Sequence, residues 1–430
     1  MYGALLATVF FLPYSFALIE IFQVTMIVAW GFKFFLLRKT PVQRTSQGLN
    51  FISPGMVWSL TAVALLIVLT IPFSHYPAVS LKKFVTRFLQ QIFLMYLVTE
   101  IVYDRKRLYG VLSMLLLTFF IVSVDIMIQC MGGKDIFHHT ALIYGRVTGP
   151  MNHPNDLGTL LVTVLPVVLV LTVTSRIWIP LLCKSFNPLW MGRVVISLLF
   201  LLLVVALGLT SSRGAWVAFA ISMVTLGVYL KNYKLVIGMV LALGLFLGMF
   251  GMHCLNTRHD IYNFPIKQGS LIINQPSASN ALGLLFDPNG RESYWSTSVD
   301  VIRHYPWFGC GYSAYTQTLK DMHAVHEDYP HNSLLHITAE LGFAGLILYG
   351  WFFTAFWVQV KNVLDAISRE RDLFLLGCGI SAGILAWILH SLVDTAWASL
   401  QLGVLCWLFM GLLLSLKLLV SNNKGEPLCP

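Results

Sequence analysis

Apolar runs long enough to cross a bilayer recur along almost the whole chain, and they constrain it more than any other feature. A helix that spans the hydrocarbon core needs about 20 mostly apolar residues. Between charged breaks, the 430 residues hold twelve such runs, at 3–18, 19–37, 56–73, 85–103, 109–129, 155–174, 194–210, 215–230, 235–253, 334–358, 373–390 and 396–416. Only 11% of residues are charged, against roughly 25% in a soluble domain. That deficit excludes an ordinary soluble protein and a disordered chain. Backbone groups in lipid must bond internally, and the alternation of a membrane β-barrel is absent. The expectation is an all-α polytopic membrane protein with about twelve transmembrane helices. Pro13 and Glu20 interrupt the first apolar stretch, which reads either as a hairpin of two short spans or as one long tilted helix.

Lysines and arginines set the orientation. With both ends cytoplasmic, the inside loops hold sixteen of them, whereas the short outside loops hold six: Lys82, Lys83, Arg87, Lys134, Arg146 and Arg213. Short cytoplasmic loops are enriched in this way, and long segments translocate largely regardless of charge. The chain then divides into spans one to nine over 1–253, a long outside segment over 254–333, and spans ten to twelve with a short cytoplasmic tail over 334–430. The outside segment is expected to carry short helices, since a structureless loop of that length is uncommon. The net charge of +9 is scattered in small clusters between apolar runs, so no nucleic-acid partner is implied. Seven cysteines without a CxxC pair suggest neither a metal site nor a redox motif. No cleaved signal peptide is recognisable, because a positive n-region is missing.

Four outside positions concentrate polar residues. Gly145-Arg146-Val147-Thr148-Gly149-Pro150, followed by Asn152-His153-Pro154-Asn155, joins spans five and six. Ser211-Ser212-Arg213-Gly214 is a tight turn between spans seven and eight. Gly290-Arg291 precedes Trp295 on a predicted helix. His331-Asn332 opens span ten, with Glu340 and Gly342 further along. Each has a plain structural reading beside the functional one. Arginines at helix ends snorkel to headgroups, and a histidine at a helix start often serves as a cap. Glu340, Asp125 and Glu100 are acids within spans, which are functional candidates by default but also bond neighbouring helices. His390 and Asp394, four residues apart, share a helix face and read as a hydrogen-bonded clasp or as direct participants. His323, His326, Glu327, Asp328 and His331 lie close in sequence, yet their spacing matches no strong zinc motif, so no metal and no cofactor is expected. Arginine forks match phosphate geometry, and a histidine suits deprotonation of a hydroxyl near neutral pH. The residue types suggest group transfer from a lipid pyrophosphate.

These stretches resemble the bacterial O-antigen ligase and polymerase superfamily. The likeness rests on Arg146-Val-Thr-Gly-Pro-Met-Asn-His-Pro-Asn155, Ser212-Arg213-Gly214-Ala-Trp216, Gly290-Arg291 with Trp295, Pro306-Trp-Phe-Gly-Cys-Gly311, and His331-Asn332 with nine residues before Gly342. The last is the most specific, since the family pattern is His, then Asn, Ser or Gln, then nine residues, then Gly. The resemblance implies a metal-independent glycosyltransferase of the GT-C type in the bacterial inner membrane, with its active site facing the periplasm. It implies transfer of a glycan from undecaprenyl pyrophosphate, in the ligase branch to lipid A–core oligosaccharide. His331 matches the proposed base, and Arg213 and Arg291 match arginines that hold the pyrophosphate. Lys82, Lys83 and Arg87 match cationic residues near the lipid substrates. Arg146 and Asp394 are weaker matches to substrate-binding positions. A polymerase of the same superfamily, whose acceptor is a second lipid-linked glycan, is the nearest rival. A transporter or flippase is the rival from another class, although transporters often carry repeats and none is visible here.

Overall fold

The computed structural model describes residues 1–37, 52–143, 145–174, 189–231, 288–324 and 328–423. Within them each apolar run closes its hydrogen bonds on itself as a helix. In chain order these are α1 (Tyr2–Phe11), α2 (Phe16–Leu37), α3 (Pro54–Thr70), α4 (Pro77–Lys83), α5 (Gln90–Ile101), α6 (Arg105–Gly132), α7 (Pro154–Val173), α8 (Leu189–Leu209), α9 (Arg213–Tyr229), α10 (Pro288–His304), α11 (Tyr315–Asp321), α12 (Ser333–Ile367), α13 (Arg371–Ser391) and α14 (Leu400–Asn423). Eight of these described helices are long and apolar enough to cross a membrane, and α1 and α9 are shorter apolar helices. The chain is therefore a polytopic all-α membrane protein. The expected span at 235–253 lies outside the described residues, as does the outside segment up to residue 287.

Pro13 ends α1, and α2 starts at Phe16, so the first apolar stretch is two helices rather than one. Span four departs from a regular helix. A π-helical stretch, Phe84–Leu89, joins α4 to α5, so helical backbone begins at Pro77, before the expected start at 85. Asp104 stops the next loop cleanly, its carboxylate accepting the Arg107 N–H at 2.8 Å to cap α6.

Two kinds of helix result. On α2, large apolar side chains point away from the protein, with Phe35 72% exposed, as suits lipid contact. At the centre, α7, α13 and α14 are buried on nearly all sides. Gly379 and Gly383 on α13, four residues apart, let it press against α7. A Cβ at Gly383 would lie 2.1 Å from the Thr163 carbonyl oxygen. Small residues at this spacing are how membrane helices approach closely when lipid is as apolar as the side chains.

α12 is one long helix with a break at Gly342, where φ is +67° and ψ is −170°. The loop Pro306–Gly311 docks into that break. Cys310 and Gly311 N–H donate to the Ala339 and Glu340 carbonyls at 2.9 and 3.0 Å, and Phe343 and Ala344 N–H donate to the Pro306 and Trp307 carbonyls at 2.8 and 3.2 Å. A Cβ on Gly342 would lie 2.2 Å from Trp307 backbone, and one on Gly309 would lie 2.1 Å from Glu340 backbone. Only glycine suits both the dihedrals and the approach. Two separated glycine motifs are thus halves of one joint, which ties the extramembrane segment to the membrane helices.

Candidate active site at the starts of three helices

Three helices begin beside one another. His153 precedes α7, its Nδ1 accepting the Asn155 N–H at 3.2 Å, with Pro154 at the first helical position. Ser212 precedes α9, whose first residue is Arg213. Asn332 caps α12, its side-chain oxygen accepting from the Leu334 and Leu335 N–H groups at 2.9 and 3.1 Å. That bond explains a short polar residue directly after His331. Helix starts present unpaired N–H groups and the positive end of the dipole, so their convergence favours an anion.

His331 stands just outside the α12 cap with its backbone in the left-handed region, at φ +48°, uncommon for a residue with a side chain. Its Nδ1 lies 3.0 Å from Asp394 Oδ1. Asp394 follows α13 and is fixed twice more. The Thr395 N–H donates to Oδ1 at 2.7 Å, and Ser333 Oγ donates to the Asp394 backbone carbonyl at 3.2 Å. Burial alone would push the Asp394 carboxyl up. The His331 hydrogen bond, the nearby His390 and His331 rings and the Thr395 N–H outweigh it and hold the group well below the usual carboxylate range. An ionised Asp394 accepts the Nδ1 proton of His331, which leaves Nε2 as the ring atom that can accept a proton. The ring of Tyr294 meets His331 edge-on, with centroids 5.5 Å apart.

The arginines come in from separate elements. Arg291 lies three residues before Tyr294 and so on the same face of α10. Arg291, Arg146 and Asp394 are all within electrostatic reach of both His153 and His390. Burial, with Arg146, His331 and Arg291 nearby, outweighs Asp394 and lowers the His153 imidazole from its ordinary value. Neutral His153 accepts at Nδ1, so its proton sits on Nε2. Arg146 braces the site: Nε donates to the Thr210 carbonyl and Nη2 to Asn155 Oδ1, both at 2.7 Å. Arg213 is positioned through its neighbours. Ser212 Oγ lies 3.3 Å from His390 Nε2. Gly214 packs so tightly that a Cβ would sit 2.4 Å from Val393 Cγ2.

His390 and Asp394 do not form the expected clasp. Asp394 lies beyond the end of α13 and turns to His331, while the His390 ring bridges Ser212 and Thr159, with Thr159 Oγ1 2.7 Å from Nδ1. The Thr159 hydroxyl donates to the Asn155 carbonyl at 3.0 Å, which leaves His390 Nδ1–H as the donor. His390 thereby joins α7, α13 and the turn before Arg213. The other span acids are local. Asp125 accepts the Ile136 N–H at 2.7 Å, Glu100 pairs with Lys33, and Glu340 pairs with His336 one turn away on α12 at 3.0 Å. Trp295 is 40% exposed. His326 and Glu327 lie outside the described residues, and among the described residues no three His, Cys, Asp or Glu side chains are grouped to hold a metal.

Lys83 and Arg87 line a different cavity, roofed by Tyr312 and bordered by His336 and Glu340. Lys82 is exposed beside it. Three residues near these sites escaped the sequence reading. Asp156 is in electrostatic reach of Asp394 and His331, but an acid in a first helical turn reads as a dipole complement. Tyr294 carried no signal. The i, i+4 spacing of His336 and Glu340 was legible.

Residues 198–350 match the family model described as O-antigen ligase. They include Ser212–Gly214, Arg291, the Pro306–Gly311 loop and the run from His331 to Gly342, whereas Arg146 and Asp394 lie outside them. No curated protein matches the chain. With its motifs in order and folded into one joint and one cluster of helix starts, this stretch of the chain is similar to the O-antigen ligase family.

Proposed function

We propose that this protein transfers a glycan from undecaprenyl pyrophosphate to a sugar hydroxyl of lipid A–core, on the periplasmic face of the bacterial inner membrane. The observation that carries the reading is His331. Its Nδ1 is held by a buried, ionised Asp394, and its Nε2 is left to take a proton beside three helix starts, with Arg146 and Arg291 in electrostatic reach of the neighbouring His153. The likeness of residues 198–350 to the O-antigen ligase family supports an enzyme of the ligase and polymerase superfamily.

The step is one displacement. The acceptor hydroxyl gives its proton to His331 Nε2 as its oxygen bonds to the anomeric carbon. The bond from that carbon to the pyrophosphate oxygen breaks, and the electron pair leaves with undecaprenyl pyrophosphate. Attack opposite the leaving group inverts the configuration. Arg213 and Arg291, with the starts of α7, α9 and α12, stabilise the departing charge where a transferase of another kind would use a divalent cation. Arg146 shapes this positive wall while bracing the loop before α7. Lys82, Lys83 and Arg87 serve the docking of the lipid-linked substrates. Holding two substrates side by side supplies much of the rate.

The test is transfer by purified, reconstituted protein supplied with undecaprenyl-pyrophosphate-linked glycan and lipid A–core, with products separated by gel. Glycan-capped core is the expected product. Longer lipid-linked chains with no capped core would make the protein a polymerase, and glycan moved across the bilayer with no new bond would make it a transporter.

A further inference from the structure

Between the α4–α5 segment and the first half of α12 lies a cavity of about 200 Å³, with Lys83, Arg87, Tyr312, Glu340 and Trp397 in its walls. It contains none of His331, Asp394, Arg213 or Arg291. Drug-sized ligands occupy roughly 300–1,000 Å³, so this space suits a single sugar ring or headgroup, not a chain.

Its polar groups are unevenly satisfied. Arg87 Nη1 is buried with no hydrogen-bond partner among the described residues, and a buried guanidinium donor without an acceptor is rare in a folded protein. Lys83 stands next to it, so two like charges meet at one wall. Glu20 on α2 is in electrostatic reach of both, but pairs with neither among the described residues. Glu340 is engaged by His336 Nε2 through Oε1 and keeps Oε2 for a second donor. The remaining wall mixes aromatic side chains, including Tyr312 and Trp397, with polar ones such as Gln91, Thr316 and Gln317. Cations, a carboxylate, amide and hydroxyl groups and aromatic rings in one small cavity match a pyranose with one anionic substituent. The anion meets the arginine fork, a ring hydroxyl donates to the carboxylate, and the apolar ring face lies on an aromatic side chain.

We propose that this cavity binds one anionic sugar unit, a pyranose bearing a phosphate or a carboxylate, with its charge on Arg87 and Lys83 and a hydroxyl on Glu340. His336 and Glu340 lie on the same helix that His331 precedes. A unit held here therefore belongs to a glycan substrate whose reacting sugar reaches His331; that extension rests on the function proposed above, whereas the binding itself does not.

The experiment is isothermal titration calorimetry on the full-length protein in lipid nanodiscs, with glucose 1-phosphate, glucuronate, glucose and inorganic phosphate as probes. At least one of the two anionic sugars should bind about tenfold or more tightly than both glucose and phosphate, and the better one identifies the anion. Arg87→Gln should weaken it by about tenfold or more, the range of a charge-assisted hydrogen bond. Lys83→Gln, at a half-exposed residue, should weaken it by a smaller factor without threatening the fold. Arg303→Gln, an exposed residue paired with Asp300, should change nothing. Binding no tighter than glucose, phosphate binding as tightly as the sugars, or indifference to both Arg87→Gln and Lys83→Gln would overturn the proposal. Transfer activity is read separately, so failure here with transfer intact removes the cavity assignment alone.

Discussion

The His331 cluster and the Arg87 cavity both pair cations with an acid, yet they are built in opposite ways. At the first, ends of several helices converge and the key groups hold one another: Asp394 accepts from His331 and Thr395, His390 bridges Ser212 and Thr159, and Arg146 bonds Thr210 and Asn155. At the second, a helical segment and the flank of α12 enclose a space in which a guanidinium nitrogen lacks a partner. A set of groups already fixed to one another is preorganised, which is what stabilising a transition state requires. A set that leaves a donor open is arranged to receive something. The contrast assigns chemistry to one and recognition to the other, and Gly342 joins them because both depend on α12.

The substitution with the largest expected effect erases the contrast. Gly342→Ala forces a side chain into a backbone region that costs about 1–3 kcal/mol and drives its Cβ into the Trp307 backbone. Both sites should fail together, seen as loss of transfer and a lower melting temperature. Survival of either with normal stability would show that the joint is not shared.

Next come the arginines. Arg213→Ala and Arg291→Ala should each cut kcat by about 10²–10³, the scale of one lost donor to developing charge, with stability little changed. Lysine should restore little if two-pronged phosphate contact matters, and full rescue would reduce their role to simple charge.

Asp394→Asn sharpens the account at lower amplitude, about tenfold or more in kcat, because it acts through the orientation of His331. It also carries a pH signature. The Asp394 carboxyl is held below its unfolded value, so its ionised form stabilises the fold above about pH 4 and that contribution is lost as pH falls further. The variant should melt lower near neutrality and lose the Asp394 part of the decline below about pH 4. An unchanged acid limb in melting would remove the ionised Asp394 from the account. Chelation should have no effect, and a loss restored by added divalent ions would contradict the metal-independent mechanism.

How much of this the sequence contained depends on the range of each interaction. Helix positions follow from local apolar runs and were legible, but the first stretch read equally as two short spans or one tilted helix, and only the structure divides it at Pro13. The cap of α12 is Asn332, with partners two and three residues away, and not the preceding His331 to which a capping role was open. The π-helical stretch before α5 carries no such local mark. His331, Arg213 and Arg291 stood out as motif residues, but the reason they act together did not. Asp394 reaches His331 across 63 positions, and its four-residue spacing from His390 pointed to the wrong partner, since the helix ends before Asp394. The two glycine motifs could be read only separately, because backbone bonds between residues 306–311 and 339–344 join them.

The most direct test of the central claim compares wild-type protein with His331→Ala in the reconstituted transfer assay, with melting temperature measured on the same preparations. A general base contributes about 10²–10⁴ in rate, so the account predicts a folded variant, melting lower because the buried Asp394 loses a partner, that caps lipid A–core at least about a hundredfold more slowly. Capping at a near-normal rate by that folded variant would contradict it and take the base assignment away from His331.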